Sequence, residues 1–275
     1  MKFLIFSDLD GTFLDHRSYS FGNLKIFINK IKQGNTIVFN TSKTFSEILK
    51  INKQLELKSP FIVENGACIF FPQSYKDNLD INKDYFKYHG YLGYSLANHN
   101  LQKIVTRVSP LQKKYKFRFY SELSDQKISE ITNLRMDDIK RSKKRLFSNP
   151  IFWDDSFNKI AKFKSEIVSL NNHFKVFQGG RFIHILENYD KGIALKKYLE
   201  IIKPSMDVEC TTVSLGDSEN DICMLESTDY SCIVKGEGKK ISLTKTNKIY
   251  FSKTKAPLGW QESLENVFRM ENKNF

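Results

Sequence analysis

The chain opens with Lys2-Phe3-Leu4-Ile5-Phe6-Ser7-Asp8-Leu9-Asp10-Gly11-Thr12. Residues 2–7 are almost wholly apolar and stop at an aspartate, the pattern of a buried parallel strand that ends at a site. Strand alternation points the Asp8 and Asp10 carboxylates to one side. Two anions that close repel, raise each other's pKa or recruit a cation. A hard Mg²⁺ with oxygen ligands answers that need, and Gly11 lets the chain turn sharply behind the pair. An Asx-rich turn closing a strand is the plainer reading of the same residues.

Working outward, Leu24, Phe27, Ile28 and Ile31 fall at helical spacing within residues 23–33, and Gly34 is a stop. Residues 36–41 form a second short apolar run, and Ser42 or Thr44 can cap a helix over 45–55 that Leu57 to Pro60 end. Phe61-Ile62-Val63 is a third strand, closed by the turn signal Glu64-Asn65-Gly66. Strand, helix, strand, helix, strand in this order predicts an α/β fold with a doubly wound, Rossmann-like parallel sheet. After about residue 80 the style changes: helical segments at 96–108 and 124–138 precede extended runs at 151–153 and 174–177. From Lys191 the earlier style returns, with helices over 191–202 and 220–226 and strands at 211–215, 231–234 and 249–251. The expected architecture is a core formed by 1–82 and 187–275, interrupted by an α+β cap domain at 83–186.

Bulk composition narrows the partners. Of 275 residues, 40% are apolar and 27% charged, the profile of a soluble globular protein. No run approaches the roughly 20 apolar residues needed to cross a bilayer, and the first apolar stretch is too short for a signal-peptide core, so a cytoplasmic protein without membrane partners is expected. Cys68, Cys210, Cys223 and Cys232 are scattered without a C-x-x-C pair, which reads as reduced small hydrophobes rather than a disulfide frame or zinc site. The formal charge of +12 is carried mostly by lysine along the whole chain, a compositional bias more than a binding stripe. Its densest run, Lys140-Arg141-Ser142-Lys143-Lys144-Arg145, lacks the interleaved aromatics of a nucleic-acid motif. It reads as a solvated or substrate-facing segment, and an anionic small molecule is the expected partner. Oligomeric state is left open.

Three further elements fall at strand ends, the edge where open α/β sheets bind ligands. Thr41-Ser42-Lys43-Thr44 offers hydroxyls and helix N-terminal amides suited to phosphate oxygens, or serves as an ordinary cap. In Asp190-Lys191-Gly192, a lysine at a helix start opposes the macrodipole and so needs another partner, a phosphate or a ring of carboxylates, unless it is solvated. Gly216-Asp217-Ser218-Glu219-Asn220-Asp221 carries more acids than an N-cap and first turn use.

The order Asp-x-Asp-Gly-Thr, Thr-Ser, Lys, Gly-Asp-x-x-x-Asp resembles the haloacid dehalogenase superfamily of phosphohydrolases. Within it the likeness is to the mannosyl-3-phosphoglycerate phosphatase family, carried also by Pro60 to Gly66, Gly179-Gly180-Arg181-Phe182-Ile183-His184 and Ala256-Pro257-Leu258-Gly259-Trp260. The resemblance spans nearly the whole chain. It implies that Asp8 attacks phosphorus and becomes an aspartyl-phosphate, and that Asp10 protonates the leaving alkoxide and then deprotonates water. It implies that Asp8, the Asp10 backbone carbonyl and Asp217 hold Mg²⁺, with Asp221 ordering the surrounding waters. Thr41 and Lys191 are to hold phosphoryl oxygens. Arg181 and His184 in the cap, with Ser42, Lys43, Arg145 and Ser148, are the candidate substrate contacts. An arginine suits the glycerate carboxylate of such a substrate, although a surface Arg181 and a packed strand His184 are the structural alternatives. The family often carries an acid near Asn149, where this chain departs. The implied reaction is hydrolysis of a mannosyl- or glucosyl-3-phosphoglycerate to the glycosylglycerate. The rivals are a sucrose-phosphate phosphatase-like enzyme, a phosphomutase, or a binding protein that keeps only the fold. His16 and Met206 have no assigned role.

Overall fold

The computed structural model describes residues 2–80, 83–98, 101–179, 181–202, 210–236, 241–244 and 248–271. The opening run is a strand, β1 (Lys2–Ser7), whose Phe3, Leu4, Ile5 and Phe6 are all buried. It lies in the middle of a sheet and so is covered on both faces, which is why the run shows no alternation. Phe3 and Ile5 face α1 (Leu24–Ile31), α2 (Phe45–Leu55) and α9 (Leu258–Met270), while Leu4 and Phe6 face α7 (Lys191–Ile202).

In register, β1 pairs parallel with β2 (Thr36–Asn40) on one side and β11 (Cys210–Gly216) on the other, with Ser7 opposite both Phe39 and Leu215. The strands therefore end level, and Asp8, Thr41 and Asp217 leave the sheet along one edge. The Asp8 amide donates to the Leu215 carbonyl at 3.0 Å. The parallel run continues through β12 (Tyr230–Ile233) to β13 (Lys248–Phe251), and on the other side to β3 (Phe61–Val63).

Two features depart from the sequence reading. The sheet does not stop at β3: β4 (Cys68–Pro72), β6 (Tyr91–Ser95) and β5 (Phe86–Tyr88) extend it antiparallel to nine strands. Residues 86–88 and 91–95, assigned from sequence to the cap, thus pair within the core sheet, and the boundary residue 82 lies outside the described residues. Hairpins need no crossover helix, so the alternation used to trace the parallel strands gives no signal for these. Second, α9 was not predicted, although Trp260, Leu264, Val267 and Phe268 are buried at helical spacing. It secures the site: the Trp260 indole N–H donates to Ser7 Oγ at 2.9 Å, and Ser7 Oγ donates to the Asp8 carbonyl at 2.6 Å.

A second, four-stranded antiparallel sheet has the order β7 (Phe117–Phe119), β8 (Ile151–Trp153), β10 (Phe182–Leu186), β9 (Lys175–Gly179). Helices α3 (Leu101–Val108) and α6 (Ile160–Leu170) cover one face around Phe117, Phe119, Phe163 and Ile183. The predicted helix 124–138 is two, α4 (Asp125–Thr132) and α5 (Met136–Ser142), because Asn133 takes a left-handed conformation with φ 60°. Of the predicted 96–108 helix, Leu101–Val108 is helical, whereas residues 96–98 are irregular, the Leu96 and Ala97 amides donating to the Ala67 carbonyl; Met206 and Gly180 lie outside the described residues. The helix predicted at 220–226 is a 3₁₀ turn (Glu219–Asp221) leading into α8 (Ile222–Leu225). No described helix is long and apolar enough to cross a membrane. All four cysteines are free. The basic run is divided: Lys143 pairs with Asp125, Arg141 with Asp138, and Arg145 points inward.

Candidate active site

Asp8 sits at the end of β1, Lys191 begins α7, and Asp221 ends the turn after β11. The Lys191 ammonium, itself buried, donates to Asp8 Oδ1 at 2.6 Å and to Asp221 Oδ1 at 2.7 Å. This is the partner that a lysine at a helix start required. The other oxygen of Asp221 accepts the Asp217 and Ser218 amides, both at 3.1 Å, so its carboxylate is fully engaged. Asp217 accepts the Thr12 hydroxyl at 2.9 Å. A Cβ on Gly11, at φ 80°, would lie 2.5 Å from Asp217 Oδ2; only glycine permits both the turn and this approach. Burial first, then the Asp221 and Asp10 charges, push Asp8 up to about 7 against the opposing pull of Lys191. Burial, Asp221 and Asp8 likewise raise Asp217. Burial works against the Lys191 charge, yet Asp221 and Asp8 outweigh it and raise its pKa.

Asp10 is held separately. Lys43 donates to its Oδ2 at 2.9 Å and reaches Glu47 at 3.4 Å, while the buried Asp10 Oδ1 has no protein partner. The Lys43 ammonium also lies 5.0 Å from the ring centroid of Tyr19, within cation–π range. Tyr19 adopts φ 55°, donates its hydroxyl to the Thr132 carbonyl at 2.7 Å and accepts from Arg181 at 3.0 Å. It therefore joins the loop after the aspartates to the second sheet. Nothing in Arg17-Ser18-Tyr19-Ser20 marks it from sequence.

A cavity of about 990 Å³ gathers most of the candidates: Asp8, Asp10, Ser42, Lys43, Arg145, Arg181, His184 and Asp217 all line it. Thr41 is wholly buried beside them, its hydroxyl accepting the Lys43 amide at 3.3 Å. Ser148 is buried and fully used, donating to Glu64 at 2.7 Å and accepting from Arg145 at 2.8 Å. Asn149 bonds Ser121 through both ends of its amide. The unpredicted organiser here is Glu64. Completely buried, it accepts the amides of Leu146, Phe147 and Ser148 at 2.8, 3.2 and 2.8 Å and lies 3.7 Å from Arg145. The sequence shows it only as part of a turn.

The family model of haloacid dehalogenase-like hydrolases matches residues 5–255. The chain belongs to this family. It is 33% identical over 267 residues to a glucosyl-3-phosphoglycerate/mannosyl-3-phosphoglycerate phosphatase of Persephonella marina, with 96% of each chain covered. To a protein of the same name from Methanococcoides burtonii it is 30% identical, with 99% of each covered. Its fold is similar to the Synechocystis sucrose-phosphatase (TM-score 0.60, 15% identity, 97% and 96% of the two chains); at that identity the likeness concerns fold alone. In this haloacid dehalogenase superfamily phosphatase, Asp8, Asp217 and Asp221 bring one oxygen each within 4.8 Å of one another. With three carboxylates against one lysine, the donor set fits a hard divalent cation.

Proposed function

We propose that the chain hydrolyses a glucosyl- or mannosyl-3-phosphoglycerate to the glycosylglycerate and phosphate through an aspartyl-phosphate on Asp8. The observation that carries this reading is a single cavity lined by two chemistries: the carboxylates Asp8, Asp10 and Asp217, and the nitrogen-bearing side chains Arg145, Arg181 and His184. The first suits phosphoryl transfer. The second offers forked donors for a carboxylate and a ring N–H for sugar oxygens. The names of the full-length relatives point to the same substrate.

In this mechanism an Asp8 oxygen forms a bond to phosphorus as the bond to the glycerate oxygen breaks, and that oxygen takes the proton of Asp10. Asp10 then accepts a proton from a water whose oxygen bonds to phosphorus, releasing phosphate and restoring Asp8. Lys43, 2.9 Å from Asp10, holds its carboxylate in place for both transfers. Lys191 and the Thr41 hydroxyl stabilise charge on the phosphoryl oxygens. Mg²⁺ would be held by Asp8, the Asp10 carbonyl and Asp217, with Asp221 behind them, and would supply positive charge beside the transferring group. Arg145, braced by Glu64 and Ser148, and Arg181, braced by Tyr19, receive the glycerate and sugar end.

A phosphate-release screen tests the substrate. Glucosyl- and mannosyl-3-phosphoglycerate are expected to exceed glucose, mannose and sucrose phosphates in kcat/KM by at least roughly tenfold, the worth of one well-placed charged contact. Equal rates on simple sugar phosphates, or appearance of an isomeric sugar phosphate, would contradict the reading.

A further inference from the structure

A line of hydrogen bonds leaves the acidic cluster and ends on the cap. Ser218 Oγ lies 2.6 Å from Asn220 Oδ1; Asn220 Nδ2 donates to Asn65 Oδ1 at 3.1 Å; Asn65 Nδ2 lies 3.3 Å from His184 Nδ1. Asn65 sits in the turn after β3 at φ 61°, a conformation asparagine tolerates better than most residues. Its backbone amide donates to the Thr41 carbonyl at 2.9 Å, and a Cβ on neighbouring Gly66 would be 2.3 Å from the Asp190 carbonyl. The side chain is therefore aimed from a fixed base, at the junction of the sheet edge with β10.

Both amides could be reversed in principle, and the reversal would hand His184 an acceptor instead of a donor. The Ser218 hydroxyl has one proton and two oxygens in reach, Asn220 Oδ1 at 2.6 Å and Asp221 Oδ2 at 3.2 Å. The nearer one takes it, because 2.6 Å is an ordinary O–H···O distance and too short for N–H···O, so Asn220 turns its oxygen to Ser218 and its N–H₂ to Asn65. Asn65 must then turn its N–H₂ to His184.

We propose that Asn65 is a positioning residue that fixes His184 with its proton on Nε2, so that the cap presents an N–H donor to an oxygen of the substrate's glycosylglycerate part. Burial, then the charges of Arg145 and Lys191, lower His184 to about 3, which keeps the ring uncharged at working pH. The Nε2 edge faces Gly179, diagonal to His184 on β9, where a Cβ would lie 3.3 Å from Nε2; both residues line the cavity. The kinetic part rests on the glycosyl-3-phosphoglycerate reading, whereas the tautomer does not.

The test is ¹⁵N-histidine NMR of the full chain, with the His184 signals assigned by their loss in His184→Gln. Wild type is expected to show a protonated Nε2 and a bare Nδ1. Asn65→Asp, which exchanges the donor for an acceptor, is expected to move the proton to Nδ1. It should raise KM for glucosyl-3-phosphoglycerate roughly tenfold, the loss of one hydrogen bond, with kcat nearly kept. His184→Gln, whose amide N–H reaches the place of Nε2, should stay several-fold closer to wild-type KM than His184→Asn, which mimics Nδ1. A wild-type Nδ1 proton, an unchanged tautomer in Asn65→Asp, or a loss confined to kcat would overturn the proposal. The wild-type spectrum decides even if a variant fails to fold. Failure of wild type to hydrolyse either glycosyl-3-phosphoglycerate would count against the substrate alone.

Discussion

Asp8→Asn is expected to lower phosphate release by roughly 10⁴-fold or more, as loss of a nucleophile does, while raising the melting temperature of the metal-free protein. The two effects share a cause. Asp8 is buried against Asp217 and Asp221, with Lys191 as the common cation of Asp8 and Asp221. The neutral amide removes one charge of a crowded three, and Lys191 keeps Asp221. The sign of the pH dependence follows. Asp8 rises from 3.8 to about 7 on folding, so between those values the folded protein holds a proton that the unfolded chain has released. Its contribution is fully present below 3.8, declines as pH rises through this window, and is gone above about 7. In EDTA the gap in melting temperature between Asp8→Asn and wild type should therefore widen from pH 4 to 7 and then level off. Saturating Mg²⁺ should reverse it, because the cation needs the carboxylate. Thermal melts at several pH values check this; a gap independent of pH and of Mg²⁺ would refute it.

Lys191→Met is expected to do the opposite to stability and nearly the same to activity. Methionine keeps most of the stem, but Asp8 and Asp221 lose the ammonium at 2.6 and 2.7 Å. Removing one partner from a buried charge cluster costs about 3–5 kcal/mol. The chain should unfold at lower denaturant in EDTA, and Mg²⁺ should recover more of that stability than of the activity, since the ammonium bonded to Asp8 is lost. Activity is expected to fall roughly 10³-fold, the scale for loss of a transition-state donor. Unfolding curves with and without Mg²⁺, beside kcat, separate the two effects. A Lys191→Met protein as stable as wild type in EDTA would contradict the geometry.

Much of the core was legible because β1 and β2 are buried and appear as short apolar runs ending in polar residues, and β11 as a β-branched run that ends at the acid-rich segment. The lysine opposed to its helix dipole also declared itself, and its partners are Asp8 at the end of β1 and Asp221 of the acid-rich segment after β11. What stayed hidden depends on contacts distant in sequence. Glu64 grips residues 146–148, and nothing in Glu64-Asn65-Gly66 distinguishes a buried clamp from a surface turn. Tyr19 and the Lys43–Asp10 pair depend on how the loop after β1 folds back over β2. Ser148 looked like a substrate contact and is instead occupied between Glu64 and Arg145. The antiparallel extension β4–β6 escaped because the strand–helix rhythm is silent about hairpins. Helix α9 was overlooked despite a readable pattern, Trp260 to Phe268.

The central claim is that phosphorus passes through Asp8. Wild-type enzyme mixed with glucosyl-3-phosphoglycerate and Mg²⁺, quenched within one turnover and reduced with borohydride, tests it most directly by peptide mapping. The account predicts that position 8, and neither position 10 nor 217, is converted from aspartate to homoserine. Full phosphate release in that turnover with Asp8 unmodified at every quench time would contradict it.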